Sequence, residues 1–476
     1  MTSSPDTSTP ARQHYGLTFA VLALGAATFA VLQSLVAPAL PEIQRELHAS
    51  ATAVAWVLTG YLLSASVLTP IVGRLGDMFG KERTLVVSLV ALAAGSLLAA
   101  LAKSIELLVV ARVIQGAGGA IFPLSFGIIR DEFPRERVAT GIALISSILG
   151  IGAGLGIVLA GPIVDALSYH WLFWIPFFLV VVVTIATVLF VPESPVKVPG
   201  RVNWPGAFLL SGWLVCLLLA ISEGSREGWT DPRIVGLFAG AAILLWAWIR
   251  NEERATEPLV DMAMMRIRGV WTVNAAAFLI GAGMYSSFIL IPQFVETESS
   301  TGYGFGASVT QAGLFLVPST FGMLLVSPFA GRLANSVGAR VPLVLGTLTT
   351  CVAFLFMAVA HAEPWQLYVG SAVLGAGIGL AFASLANLIV VAVRPEQTGV
   401  ATGMNTVMRT VGGSVGAQIG ASVIAATVVG GALPTEHGYT LAFAFAGCAC
   451  GLAAIASLAV PQPGLIPVEA VVVDPT

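Results

Sequence analysis

Apolar runs of about twenty residues, broken by short polar turns, follow one another from residue 16 to residue 460. A bilayer core about 30 Å thick takes roughly 20 residues of apolar helix to cross. On that rule the pattern predicts fourteen spans, roughly at 16–40, 53–73, 84–102, 106–129, 139–164, 171–191, 204–222, 233–249, 271–295, 309–330, 341–360, 365–392, 399–429 and 440–460. Two of the polar stretches nearly repeat. Gly73-Arg74-Leu75-Gly76-Asp77 is echoed by Gly331-Arg332-Leu333-Ala334-Asn335, 258 residues further on. Val138-Ala139-Thr140-Gly141 recurs as Val400-Ala401-Thr402-Gly403 after 262 residues. The repeat sets spans 2 to 5 against spans 10 to 13 and leaves the seventh and eighth as an extra pair. Two similar halves around a central path are a common build of secondary transporters, so the chain is expected to move something across a membrane.

The expected fold is all-α and integral to the membrane: two six-helix halves plus an inserted helix pair. Its expected parts are an N-terminal tail (1–15), a first half (16–194), the inserted pair (195–250), a linker (251–270), a second half (271–460) and a C-terminal tail (461–476). Charge gives the orientation, because cytoplasmic loops carry an excess of Lys and Arg. With the N-terminus inside, sixteen of the 22 Lys and Arg residues fall in inside segments and four in outside loops; Arg112 and Arg409 lie within spans. One miscounted span would invert every later loop. Both termini are thus expected in the cytoplasm of a cell whose plasma membrane holds the chain.

Composition narrows the class. Charged residues make up 10% of the chain, hydrophobic ones 57%, and the mean hydropathy is +0.91. A soluble domain averages about 25% charged residues, so a normal globular surface is excluded. A net charge of −3 is too small to point to nucleic acid. The first apolar stretch is longer than a signal-peptide core of roughly 7–15 residues and reads as a membrane helix. Cys216, Cys351, Cys448 and Cys450 all fall in apolar spans without metal-type spacing and are expected to pack. His48, His170, His361 and His437 lie in predicted outside loops and are expected at the surface. No cofactor or metal is implied, and no HExxH, P-loop or GxSxG pattern argues for an enzyme.

Polar residues inside spans mark the candidate path, since a buried arginine usually faces a polar cavity. Arg112, Gln115, Gly116 and Gly119 share one helical face, as do Asn405, Met408, Arg409, Gly412, Gly413 and Gly416. Arg409 lies ten residues into its span, about 15 Å deep at 1.5 Å per residue. Gln33, Tyr61, Arg112, Gln115, Gln293, Asn405 and Arg409 are the expected cavity lining. A snorkelling side chain or a helix-to-helix hydrogen bond is the plainer reading of either arginine. In span 5, Gly152, Gly156, Gly161 and Pro162 read either as close packing or as a hinge. None of the 25 acids lies near the middle of a span.

Several of these stretches resemble the major facilitator superfamily. Gly73 to Arg83 is similar to its cytoplasmic signature between the second and third helices. Arg112-Val113-Ile114-Gln115-Gly116, Gly152 to Pro162, Gly228-Trp229-Thr230 and Glu257-Pro258-Leu259 are further matches, and fourteen spans resemble its drug:proton antiporter branch. The resemblance implies export of amphipathic organic compounds against protons by a monomer in the bilayer, with a specific metabolite or lipid carrier as the alternative and a membrane-embedded enzyme as the remote one. It implies a cytoplasmic latch of Gly73, Gly76, Asp77, Gly80, Lys81 and Arg83 with Arg130 and Asp131; a solvated turn obeying the positive-inside rule is the bland reading. Three positions depart from the family pattern. Met78 stands in place of an arginine, Ile157 in place of a proline, and Gln33 in place of the span 1 aspartate tied to protons. Glu296, at the end of span 9, is the remaining candidate proton site.

Overall fold

A computed structural model describes residues 15–194, 197, 201–427 and 434–461. The tails expected at 1–15 and 461–476 lie outside these residues, Tyr15 and Pro461 apart. Every regular element among the described residues is helical. Lipid offers the backbone no hydrogen bonds, so a spanning segment must satisfy its own N–H and C=O groups, as a helix does. The long helices are α1 (Tyr15–Leu35), α2 (Ala51–Phe79), α3 (Lys81–Ala100), α4 (Ile105–Glu132), α5 (Arg135–Ala166), α6 (Trp171–Phe190) and α7 (Trp204–Glu227). They continue with α8 (Pro232–Arg254), α9 (Arg268–Glu296), α10 (Val309–Val337), α11 (Arg340–Val359), α12 (Pro364–Ala392), α13 (Thr398–Ala425) and α14 (Glu436–Leu458). A 3-10 turn at Gly116–Ala120 interrupts α4.

Local chemistry sets the ends. Ser50 and Ser104 accept from Ala53 N–H and Leu107 N–H at 3.2 and 3.3 Å, capping α2 and α4. Gly80 and Gly338 hold equivalent places in the two repeated turns and end their helices at φ +111° and +89°, a region that favours glycine. Thirteen of these helices are long and apolar enough to cross a membrane. The fourteenth, α13, is long enough at 28 residues but carries too many polar side chains, for a reason that lies in the cavity. The outer surface is apolar, with Val87, Phe208, Leu325 and Val359 each more than two-thirds exposed, as lipid-facing side chains should be.

Packing repeats with the sequence. In the first half α1 lies along α5, α2 along α4, and α3 along α6; in the second, α9 lies along α13, α10 along α12, and α11 along α14. The halves meet along two seams, α2 with α13 and α5 with α10. Helices α7 and α8 pack on each other, and α7 also touches α2 and α13. The face of the bundle carrying the Gly73–Arg83 turn is called the basic side below, and the other the opposite side.

Two sequence expectations need correction. His361 is buried: Nδ1 lies 2.7 Å from the Met357 carbonyl and Nε2 3.1 Å from Glu436 Oε1, because the end of α11 is covered by α14. Cys448 is exposed on the outside of α14, whereas Cys450 is buried.

The helix order carries a direct expectation. Single cysteines at the exposed positions Arg83 and Lys197 should react with an impermeant thiol reagent from one side of the membrane, and those at Lys103 and Glu298 from the other. A cysteine at Lys197 labelled from the same side as one at Lys103 would break this order.

Candidate functional site

The seam between α2 and α13 is closed at the basic side by backbone contact. A Cβ on Gly73 would fall 2.8 Å from the Gly399 carbonyl carbon, and one on Gly403 2.9 Å from Pro70 Cα. Only glycine allows helices to meet this closely. Asp77, one turn beyond Gly73, is thereby delivered to the start of α13. Its Oδ1 accepts from Gly399 N–H at 3.1 Å and its Oδ2 from Val400 N–H at 3.2 Å. Those N–H groups have no partner inside their own helix, and the helix dipole favours an anion there. The carboxylate is fully buried, as is Lys81, whose Nζ lies 3.8 Å from Asp77 Oδ1 and 2.6 Å from Asp131 Oδ2. Arg130 crosses the same seam, donating to Thr398 Oγ1 at 2.6 Å and to the Val393 carbonyl at 2.9 Å.

Gly73, Asp77, Lys81, Arg130 and Asp131 are therefore one cluster. Gly76 faces Leu124 of α4, and Gly80 makes the turn. Arg83 stands apart, exposed and paired with Glu193 at 3.3 Å. On the other seam, a Cβ on Gly331 would meet Thr140 Cα at 2.7 Å, and Asn335 donates to the Glu136 carbonyl at 3.2 Å. The two repeated motifs thus meet crosswise: each copy of the first packs on the opposite half's copy of the second.

Above the closed seam lies a cavity of about 380 Å³, lined by Gln33 and Ser34 of α1, Leu58 to Leu63 of α2, Leu149 and Ile157 of α5, Met284, Tyr285 and Phe288 of α9, and Thr410 to Gln418 of α13. Leu218, Ile221 and Ser222 of α7 complete the wall. A narrow recess beneath it holds Gln33, Tyr61, Thr406 and Arg409. Hydrogen bonds between the halves, among the described residues, run from the basic side up to Ser147 and Ser327, which bond to each other across α5 and α10. The opposite side of the α2–α13 seam is where the cavity lies.

The family is now decided. The family model of the Major Facilitator Superfamily matches residues 22–417 and again 273–470. The chain belongs to the Major Facilitator Superfamily. It is 29% identical to Multidrug resistance protein 3 of Bacillus subtilis over 385 residues, 80% of this chain and 74% of that one. It is 28% identical to the Tetracenomycin C resistance and export protein of Streptomyces glaucescens over 388 residues, 81% of this chain and 71% of that one. The human organic anion transporter MFSD10 (TETRAN) shares its fold, with a TM-score of 0.67 at 17% identity over 94% of this chain and 100% of that one.

In this superfamily member the expected cavity residues divide. Gln33 and Tyr61 line both the cavity and the recess beneath it, and Arg409 lines the recess. Asn405 lies below with Arg409 in a second small recess and donates to Asn274 Oδ1 at 2.9 Å. Arg112 is buried behind Tyr61, its guanidinium carbon 4.1 Å from the ring centroid. Arg112 donates to the Val57 carbonyl at 3.1 Å and to Gln115 Oε1 at 2.8 Å, and Gln115 reaches Ser96 Oγ at 3.0 Å. Gln293 and Glu296 are exposed at the opposite end of α9 and contribute nothing to the cavity wall. Gly152 and Gly156 pack against α1, where Ser34 donates to the Gly152 carbonyl at 3.2 Å. Gly161 and Pro162 lie in the last turns of α5, and the helix continues through them.

Sequence reasoning missed Tyr285, Thr406, Thr410, Ser414 and Gln418. The last four recur every four residues on α13 and so share a face. They explain its low apolarity, because that stripe faces the cavity instead of lipid. Two of the glycines expected on the same face turn away: Gly412 and Gly416 pack on Phe278 and Ala282 of α9, whereas Gly413 lies at the cavity wall against Tyr285.

The seam yields a measurable expectation. Asp77→Asn sets an amide N–H₂ against one of two helix donors and removes the charge from Lys81. A hydrogen bond to a charged group contributes about 1.5–3 kcal/mol, which is roughly ten- to a hundredfold in the open-to-closed ratio of the seam. Spin labels at the exposed positions Arg83, just after α2, and Arg394, just before α13, should move apart in Asp77→Asn and further in Gly73→Val, read by electron–electron distance spectroscopy. An unchanged distance distribution in both variants would show that the seam does not depend on them.

Proposed function

We propose that this protein exports amphipathic organic compounds across the plasma membrane by alternating access. The observation that carries the reading is one cavity walled by both halves, with the α2–α13 seam beneath it closed on the basic side. Helices α1–α6 and α9–α14 are the two rocking bodies, and α7–α8 are a pair inserted between them. The basic side is the cytoplasm, on the positive-inside count, so the structure corresponds to an outward-facing state. Asp77, Lys81, Arg130 and Asp131 act as the latch of that state. Rocking toward the cytoplasm withdraws Asp77 from Gly399 and Val400, parts α2 from α13, and exposes the cavity to the cell interior. The similarity to a multidrug resistance protein and to a tetracenomycin C resistance and export protein favours outward movement of drug-like organic compounds.

One chain holds both halves and a complete cavity, which fits a monomer as the working unit. The coupling ion is proposed to be the proton on family resemblance, and no proton step is routed through Glu296, which faces away from the cavity. Gln33, in the place of the expected acid, lines the path as a hydrogen-bonding neutral group.

Accumulation in an efflux-deficient bacterium tests the reading. Cells expressing the protein should accumulate less of at least one member of a panel of fluorescent amphipaths, anionic, neutral and cationic. Cells making Gly73→Val at the same membrane level should accumulate as much as empty cells. Equal accumulation of every member with and without the protein would overturn export.

A further inference from the structure

The floor of the cavity carries positive charge that no carboxylate among the described residues pairs with. Arg409 lines both small recesses below the main cavity. Its Nε is buried without a hydrogen-bond partner, its side chain makes no hydrogen bond or ion pair among the described residues, and its guanidinium carbon lies 4.7 Å from the Phe382 ring centroid. Arg112, directly behind Tyr61, has only neutral oxygen partners, and its Nη2 has none. The Tyr61 hydroxyl, on the wall shared with Arg409, is likewise buried and unpartnered. Neither the buried Asp77 nor Glu296 of α9 supplies a counter-charge. Asp77 is held by α13 and Lys81, and Glu296 is exposed at the far end of α9. Gln33, in the same recess as Arg409, is neutral.

A guanidinium in a low-dielectric cavity is costly unless an anion pairs with it. Two such cations with no protein acid form a standing attraction for a negative ligand and a barrier to a positive one. The wall above is chiefly apolar and aromatic, with Met284, Tyr285 and Phe288 from α9 and Leu62 from α2. We propose that the compound bound here is an anionic amphipath, a carboxylate or ionised phenol on an aromatic body. Its charged oxygens lie against Arg409 and the Tyr61 hydroxyl, and its body fills the wide part of the cavity. The planar fork of arginine suits two carboxylate oxygens, which a lysine ammonium meets only as a point charge. This assignment rests on the cavity being the transport site and names the charge class of what enters it.

The test uses three ligands with one naphthyl body: an alkanoate, its primary amide and the matching trimethylammonium compound. Binding is measured on the purified full-length protein in nanodiscs by titration calorimetry. The alkanoate should bind at least tenfold more tightly than the amide, and the ammonium compound most weakly. Arg409→Gln should erase the gap between alkanoate and amide, Arg409→Lys should retain part of it, and Gln33→Glu should turn the preference toward the ammonium compound. Thermal unfolding of each variant verifies its fold, and the wild-type ranking stands whether or not a variant folds. Binding of the amide or the ammonium compound as tight as the alkanoate would overturn the assignment, as would no alkanoate binding, or a gap that survives Arg409→Gln. Alkanoate that binds with the expected ranking yet is never moved outward in vesicles would instead overturn the export reading.

Discussion

The Asp77 carboxylate resting on the first N–H groups of α13 is the contact on which the arrangement of the two halves depends. It joins two helices that glycines alone allow to touch, at Gly73 and Gly399, and it places a buried negative charge where the helix dipole and Lys81 receive it. Desolvating a carboxylate is expensive unless every lone pair finds a donor. The contact is therefore strong only when the helices are in register, and a tilt of a few ångströms loses the hydrogen bonds together.

The molecule repeats itself in packing but departs from symmetry in chemistry. Both seams use the same crosswise pairing of repeated motifs, yet Asp77 on α2 has only Asn335 as its counterpart on α10. The α5–α10 seam is packed along its length, from Gly331 on Thr140, through Ser147 and Ser327, to Gly313 against Ile157 and Val158. The α2–α13 seam is tight from Gly73 to Pro70, and above that level the two helices line the cavity with α7 beside them. The α2–α13 seam thus holds a buried charge, whereas the α5–α10 seam is held by close packing and neutral hydrogen bonds.

The same division accounts for the polar content of the spans. A helix facing lipid on one side and protein on the other has no use for Thr406, Thr410, Ser414 and Gln418 in a row, and α13 carries them because that stripe borders the cavity. Buried guanidinium groups at Arg112 and Arg409 follow the same logic. Their cost in hydrocarbon is tolerated where neutral hydrogen-bond acceptors, aromatic faces and a ligand pocket surround them.

Length and hydropathy alone marked thirteen long apolar helices and their order, because crossing a bilayer demands an uninterrupted self-satisfied helix whatever its neighbours. The repeated turns likewise revealed two similar halves, and the spacing of Gly73, Asp77 and Lys81 revealed a special contact, since glycine and a buried acid are rare where only solvation is needed. Depth and partner were decided by tertiary structure. Gln33, Tyr61 and Arg409 line the cavity or its recess, whereas Arg112 sits one layer behind and Gln293 lies outside the cavity wall, though all five looked alike as polar residues in apolar runs. Helical periodicity says which residues share a face but not which neighbour that face meets. Gly412 and Thr410, two residues apart on α13, face a helix and a cavity respectively only because α9 packs where it does.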